Sequence, residues 1–403
     1  MDLSERPEHV ALRAELRDFI ATQRHLAPSG RALHDPQARA WQQMLIERGY
    51  AARNIPRDYG GAGLAPDILA TRLIAEEFAR AGISPGLGGQ GINMLVPTLL
   101  EVGTDAQKHQ FIAPTLLGDI VWCQGYSEPG AGSDLASLRT SAVLDGEHWI
   151  VNGQKIWTST AKEADWIFCL VRTEPQAPKH RGISFLLFRM DTQGIEVKPL
   201  VDMTMKANFN EVFFTDVRVP ATQIVGQRGD GWRVANVILK NERGALADPN
   251  LSLARLNALM ALMQQETVDG QRVIAQAPLL DRLMRLQGRL MALQFNDLRL
   301  LSSGLNPGQD DTRLAGLVVK LMGTELRHEI ESLAIDAMGE GGLAYGSNPH
   351  LRDGGSGGGW QANFMYFLGL IIGGGTSQIQ KNIIAELGLG MPREPKLATV
   401  GSA

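Results

Sequence analysis

The stretch Cys123-Gln124-Gly125-Tyr126-Ser127-Glu128-Pro129-Gly130-Ala131-Gly132-Ser133-Asp134 sets two hydroxyls, Ser127 and Ser133, around a turn nearly stripped of side chains. Pro129 presets the turn, Gly130 and Gly132 admit positive φ or a close approach of backbone to an anion, and each serine can donate one hydrogen bond. A phosphate or the polar edge of a ring would suit it, and so would a plain connection between strands. Two other segments mix glycines or aromatics with hydroxyls: Trp157-Thr158-Ser159, and Gly373-Gly374-Gly375-Thr376-Ser377-Gln378-Ile379-Gln380. A Trp followed by Thr at a strand end can lay its indole against a flat ring while the hydroxyl bonds a ring nitrogen, or the indole can fill a core.

The elements that must carry these segments follow from periodicity. From Val10 to about Ile120 it is helical, with Leu12, Leu16, Phe19 and Ile20 on one face and Leu69, Leu73 and Ile74 repeating the pattern. Strand signals take over from Trp149. Trp149-Ile150-Val151, an Asn152-Gly153 turn and Lys155-Ile156-Trp157-Thr158 predict a tight hairpin, and Trp166 to Val171, Ile183 to Phe188 and Val212 to Val219 predict further strands. After Trp232 helical spacing returns, with Leu283, Leu286, Leu290 and Leu293 on one apolar face and Leu314, Leu317, Val318 and Leu321 on another. The expected layout is a helical domain over 1–120, a β-domain over 121–230, a helix bundle over 231–392 and a tail from 393 to 403.

Composition excludes several classes. With 44% hydrophobic and 20% charged residues over 403 positions, the chain has the make-up of a folded globular protein. A net charge of -4 without a basic run gives no footprint for nucleic acid. The two cysteines, Cys123 and Cys169, form neither a disulfide framework nor a paired metal spacing, which fits a reducing cytoplasm. The polar start, Met1 to Glu8, is unlike a signal peptide, and the apolar run Phe364 to Ile372 is far shorter than the ~20 residues that span a bilayer. Gly86 to Gly91 spells a dinucleotide fingerprint without the strand that must precede it, and Gly354 to Gly358 spells a nucleophile elbow inside a glycine run. His328-Glu329 is expected on a solvated helix face.

Six strings in order make the resemblance specific: Tyr59 to Gly63, Cys123 to Asp134, Asn152-Gly153-Gln154-Lys155-Ile156-Trp157-Thr158, Asn210 to Pro220, Asn241-Glu242-Arg243-Gly244, and Gly375 to Asn382. Over essentially its whole length the chain resembles the acyl-CoA dehydrogenase family. The resemblance implies a mainly α protein with an N-terminal helical domain, a middle β-barrel domain and a C-terminal helix bundle, holding FAD between the β-domain and the bundle and usually assembled as a tetramer. It implies flavin contacts from Gln124, Tyr126, Ser127, Gly132, Ser133, Trp157, Thr158 and Ser159, and from Thr376, Ser377 and Gln378. Ser133, Arg243 and Gly375 fall on the acyl-CoA side, and electrons leave to an electron-transfer flavoprotein.

The implied chemistry is removal of the α-proton of an acyl thioester with transfer of the β-hydride to flavin, which needs a carboxylate base. Many relatives place it just before the final Gly-Thr-Ser, where this chain has Gly374. Others place a glutamate before an arginine on the first long helix of the C-terminal domain, and Glu242-Arg243 matches that arrangement. Gly374 keeps the backbone N–H that polarises the thioester carbonyl, and its missing side chain points to an acyl group branched or bulky near the thioester. Glu266 to Gln271 lacks the arginine and phenylalanine that many relatives extend to a neighbouring subunit's FAD, and the Gln-x-x-Gly-Gly segment has become Asp336-Ala337-Met338-Gly339-Glu340-Gly341-Gly342. Such changes fit a hetero-oligomer as well as a homotetramer. Two other functions stay open: a non-catalytic FAD-binding or structural subunit, and a related flavin oxidase or monooxygenase.

Overall fold

The computed structural model describes residues 6–30, 33–246, 248–305, 312–344 and 359–393. The chain divides into two compact units, Asp2–Glu242 and Arg243–Ala403.

The first unit opens with helices α1 (Pro7–Gln23), α2 (Pro36–Glu47), α3 (Ile68–Ala81), α4 (Val96–Val102) and α5 (Asp105–Leu116). Their starts are written locally. The Asp35 carboxylate accepts from Gln37 N and Asp67 from Ala70 N, while Thr104 and Gln107 form a reciprocal capping box. The predicted apolar faces converge, as Leu16, Phe19, Ile20, Leu73 and Ile74 are all buried.

Strands β1 (Trp122–Gly125), β2 (Ser141–Asp145), β3 (His148–Ser159), β4 (Trp166–Arg172), β5 (Ile183–Arg189), β6 (Ile195–Leu200) and β7 (Phe209–Pro220) form one curled sheet. Its order is β1-β4-β2-β3-β7-β6, with β5 on β4. The central runs are apolar without alternation because both faces are covered. Phe168, Leu170, Phe185 and Leu187 join Leu95, Leu99, Phe111 and Ile112 from the helices, whereas Ile167, Cys169, Leu186 and Phe188 pack with Val212, Phe214 and Val217. Helix α6 (Gly231–Leu246) adds Val234, Ala235 and Ile238 to the first of these cores.

The hairpin expected at Asn152-Gly153 is absent, because β3 runs straight through both residues. They form a bulge against β7, where the register shifts between Val151 and Gly153. The Asn152 amide exchanges hydrogen bonds with Asp216, Nδ2 to Oδ1 at 3.0 Å and Asp216 N to Oδ1 at 2.9 Å. Gly153 has φ 147°, and a Cβ there would lie 2.7 Å from Thr140 Cα. Asn-Gly thus serves a close approach of β3 to Thr140, the residue that precedes β2. The actual hairpin turns one step earlier, at Gly146-Glu147, between Asp145 and its partner His148.

The second unit contains α7 (Pro249–Gln265), a short hairpin of β8 (Thr267–Val268) and β9 (Gln271–Arg272), α8 (Ala277–Leu305), α9 (Arg313–Ala337), α10 (Glu340–Leu343), α11 (Trp360–Ile372) and α12 (Ser377–Ile383). Leu283, Leu286, Leu290 and Leu293 are buried against Leu256, Leu259, Leu326, Ile330, Leu333 and Trp360. The other expected face is not a core face. Leu314 is exposed and Leu317, Val318 and Leu321 are half-buried, since α9 buries its side bearing Leu326, Ile330, Leu333 and Ala337 instead. No helix among the described residues is long and apolar enough to cross a membrane.

Candidate active site

After β1 the chain makes a tight turn closed by Glu128 N to Ala131 O at 3.1 Å and Ala131 N to Glu128 O at 3.0 Å. Neither Gly130 nor Gly132 adopts positive φ, contrary to one use the sequence suggested, and a Cβ at either would meet nothing within 4 Å. Packing within the chain does not demand glycine there. What the two residues provide is bare backbone facing outward, beside the exposed Ser133 and the half-buried Ser127. Gln124 is half-buried in β1. Tyr126 is buried, its ring edge-on to Phe168 and Phe185, so it belongs to the core that supports the turn.

Beneath the turn sits an ion pair whose role the sequence did not disclose. Lys155 is 0% exposed, and its Nζ donates to Glu128 Oε1 at 2.8 Å and to Tyr126 O at 3.2 Å. The Glu128 carboxylate also accepts from Arg139 N at 2.6 Å and Thr140 N at 2.9 Å. Strand alternation held the clue, because Trp149, Val151 and Lys155 share the inward parity of β3. Burial pushes the Glu128 carboxyl up, but the Lys155 ammonium and these donors outweigh it and hold the group below the usual carboxylate range. A carboxyl depressed on folding stabilises the protein above its unfolded pKa, and that contribution disappears as pH falls through the folded value. Glu128→Gln is therefore expected to lower stability at pH 7 by about 3–5 kcal/mol, the cost of stranding a buried charge. Urea midpoints measured from pH 7 downward should begin to converge for the two proteins near pH 4, about the unfolded carboxyl range, and meet only below the lowered folded value.

Trp157 does not fill the β-domain core. It is 57% exposed, and its φ of 60° is left-handed, an outlier for so bulky a residue. It stands at a second register shift, between Lys155 and Thr158, edge-on to Phe209 with ring centroids 5.8 Å apart. Thr158 is fully buried and its Oγ1 has no hydrogen-bond partner among the described residues. Asn210, paired with it across the sheet, donates Nδ2 to Thr158 O at 2.9 Å, and its Oδ1 likewise has no partner there. Ser159 is half-buried at the strand end.

In the second unit Gly374 and Gly375 have φ of 63° and 91°. A side chain at Gly375 would also meet Gln380 Nε2 at 2.6 Å, so the turn that leads into α12 favours glycine, at Gly375 above all. Two buried side chains whose role the sequence did not disclose hold that turn: Lys320 Nζ donates to Gly375 O at 2.7 Å, and Gln380 Nε2 donates to Gly374 O at 3.1 Å. Thr376 caps α12, its Oγ1 accepting from Ile379 N at 3.2 Å. That leaves Thr376 engaged, Ser377 buried with an Oγ that has no partner among the described residues, and Gln378 exposed.

Glu242 and Arg243 lie on α6, but their side chains fall outside the described residues, as does the Gly354 to Gly358 run. Both cysteine thiols are buried and pushed up by that burial, Cys169 to about 12, which keeps them protonated and unreactive. His328 corrects another expectation: it packs on Phe364, with ring centroids 4.9 Å apart, and burial lowers its pKa. Glu329 is the solvated member of that pair and binds Arg289.

Three family models match in chain order: the N-terminal domain of acyl-CoA dehydrogenase over residues 6–119, the middle domain over 123–217 and the C-terminal domain over 229–389. The chain belongs to the acyl-CoA dehydrogenase family. Its members are FAD-dependent oxidoreductases. The acyl-CoA dehydrogenase IpdE1 of Mycobacterium tuberculosis is 38% identical over 365 residues, covering 89% of each chain. Among solved structures, the steroid acyl-CoA dehydrogenase Tcur3481-Tcur3483 is 30% identical with a TM-score of 0.77, over 98% of this chain and 100% of that one. The ChsE4-ChsE5 complex of Mycobacterium tuberculosis is 32% identical with a TM-score of 0.76, over 98% and 100%.

The residues present in this acyl-CoA dehydrogenase fit the family's cofactor. An unpaired buried hydroxyl costs about 1–3 kcal/mol, so Thr158 Oγ1 is better placed with a ring nitrogen or carbonyl to bond than without one. An exposed indole held in a strained conformation next to it suits a flat aromatic partner, and the open Gly130 and Gly132 backbone suits a pyrophosphate.

Proposed function

We propose that this chain is an FAD-dependent acyl-CoA dehydrogenase that converts a bulky or ring-bearing acyl-CoA thioester to its trans-2-enoyl-CoA. The observation that carries this reading is the Trp157-Thr158 bulge, whose exposed indole and buried hydroxyl, without a partner among the described residues, suit a flat ring with a polar edge. Bound FAD supplies the two-electron acceptor for the β-hydride. Gln124, Tyr126, Ser127, Gly132, Ser133, Trp157, Thr158, Ser159, Thr376, Ser377 and Gln378 form its binding set. Glu242 takes the α-proton. The Gly374 N–H donates to the thioester oxygen as negative charge develops on it, with Ser133, Arg243 and Gly375 on the acyl-CoA side.

Gly374 bears on the substrate class. A residue without a side chain at that point leaves room beside the reacting carbons, and a relative described as a steroid acyl-CoA dehydrogenase supports ring-derived acyl groups. The same glycine is the one observation favouring a non-catalytic subunit, because it replaces a carboxylate. Anaerobic addition of acyl-CoA thioesters to the purified yellow protein separates the two readings. Bleaching of the flavin by branched or ring-bearing thioesters, with slow reoxidation in air, is the expected result. A flavin that no thioester bleaches would leave only the structural reading, and fast reoxidation would point to an oxidase.

Electrons pass to an electron-transfer flavoprotein in the cytoplasm, and the working unit is a homotetramer or a hetero-oligomer. Two features support assembly. On α8, Leu280, Met284, Met291 and Phe295 are exposed along one stripe set apart from the buried leucines, and a relative forms the ChsE4-ChsE5 complex. Met284→Glu combined with Phe295→Glu is expected to shift the particle toward single chains in size-exclusion chromatography with light scattering. An unchanged mass would take α8 out of the interface.

A further inference from the structure

We propose that Lys155 and Glu128 are positioning residues for the cofactor, their ion pair fixing the Ser127–Ser133 turn against the strand that presents Trp157 and Thr158. The inference rests on the reading that this turn and this strand hold FAD.

Three pieces of chain meet at the pair. Lys155 Nζ reaches Tyr126 O and Glu128 Oε1, and the same carboxylate collects Arg139 N and Thr140 N from the segment leaving the turn. The neighbouring contacts repeat the connection through backbone, with Ile156 N donating to Ser127 O at 2.9 Å and Thr140 Oγ1 to Gln154 O at 3.3 Å. The start of the turn, Tyr126 to Glu128, and the segment that leaves it, Arg139-Thr140, are thereby tied to positions 154–156, immediately before the left-handed Trp157.

Stability alone does not call for such a pair. Two charges lose their hydration on burial, and well-packed apolar side chains of similar volume at such a site are commonly neutral or more stable. An ion pair with directional bonds gives something an apolar pair lacks: it selects one register of turn against strand. The register shift between Lys155 and Thr158 shows where that selection acts, since the strand leaves its regular ladder immediately after the lysine. Neither side chain reaches solvent to any extent that would let it contact a ligand, as Lys155 is 0% and Glu128 8% exposed. Their effect on the cofactor passes through the residues they hold.

The test compares FAD binding and folding in the same variants. Apoprotein of the wild type, of Lys155→Met with Glu128→Leu, and of Lys155→Arg is titrated with FAD, and the thermal midpoint of each apoprotein is recorded. The doubly apolar variant should fold with a midpoint near that of the wild type, yet bind FAD at least about tenfold more weakly and with displaced flavin absorption bands. Lys155→Arg keeps the charge and should bind more tightly than the doubly apolar variant. A doubly apolar variant that folds and binds FAD like the wild type overturns the inference. Should that variant not fold, Glu128→Gln carries the test by the same titration, and undiminished affinity with unchanged bands there overturns it equally. Failure of the wild-type apoprotein to bind FAD at all would instead bring down the functional reading on which the inference stands.

Discussion

Glu242→Gln should lose at least about a thousandfold in the rate of anaerobic flavin reduction by acyl-CoA while keeping its FAD, within the range by which a positioned base accelerates proton removal. The amide matches the carboxylate in size and can still hydrogen-bond, so cofactor content and thermal midpoint should stay close to those of the wild type. What it lacks is basicity. The α-proton of a thioester leaves only as the base accepts it, and no other carboxylate stands at the position before Gly375 that many relatives use. Stopped-flow absorbance of the flavin band, normalised to bound FAD, reads the effect directly. A rate equal to that of the wild type would remove Glu242 from the mechanism and shift attention to an acid elsewhere in the sequence.

A stability effect as large as that expected at Glu128 lies in the bundle, at Glu331. This carboxylate is 0% exposed and takes a bidentate pair from Arg255, Nε to Oε1 at 2.7 Å and Nη2 to Oε2 at 2.6 Å. The same guanidinium lies over the Trp360 ring, 3.9 Å from its centroid. Nearby, burial depresses the pKa of Arg327, and Glu331 is among the acids that offset it. Glu331→Ala removes the anion and leaves the Arg255 guanidinium enclosed, at a cost of about 3–5 kcal/mol. In a protein of this size that corresponds to a fall in thermal midpoint on the order of 5 °C. Calorimetry should show it, and Arg255→Met with Glu331→Leu should recover most of the loss. If the single variant melts within a degree or two of the wild type, the pair does not hold the bundle together.

The two parts of the candidate site differed in how legible they were. The turn from Ser127 to Ser133 and the Gly374-Gly375 turn were visible as strings, because glycine, proline and hydroxyl residues act on their own local backbone. Their supports were not. Lys320 lies more than fifty residues before the carbonyl it holds, and Lys155 meets Glu128 only after two strands and a turn have folded together. Asn152-Gly153 shows the converse error, as a dipeptide that favours a hairpin in isolation instead makes a bulge where β3 pairs with β7 and passes close to Thr140.

By itself the sequence determined the order of helices, strands and helices, the apolar faces of α1, α3 and α8, and the local turns that put hydroxyls beside bare backbone. These depend on periodicity and on the φ preferences of single residues, which act over a few positions. Tertiary structure decided that Trp157 stands in solvent, that α9 turns Leu314 outward, and that a lysine belongs in the core of the sheet. Each of those outcomes depends on which distant atoms cover a side chain and which distant carbonyl or carboxylate satisfies its polar end, and the neighbours along the chain carry no record of either.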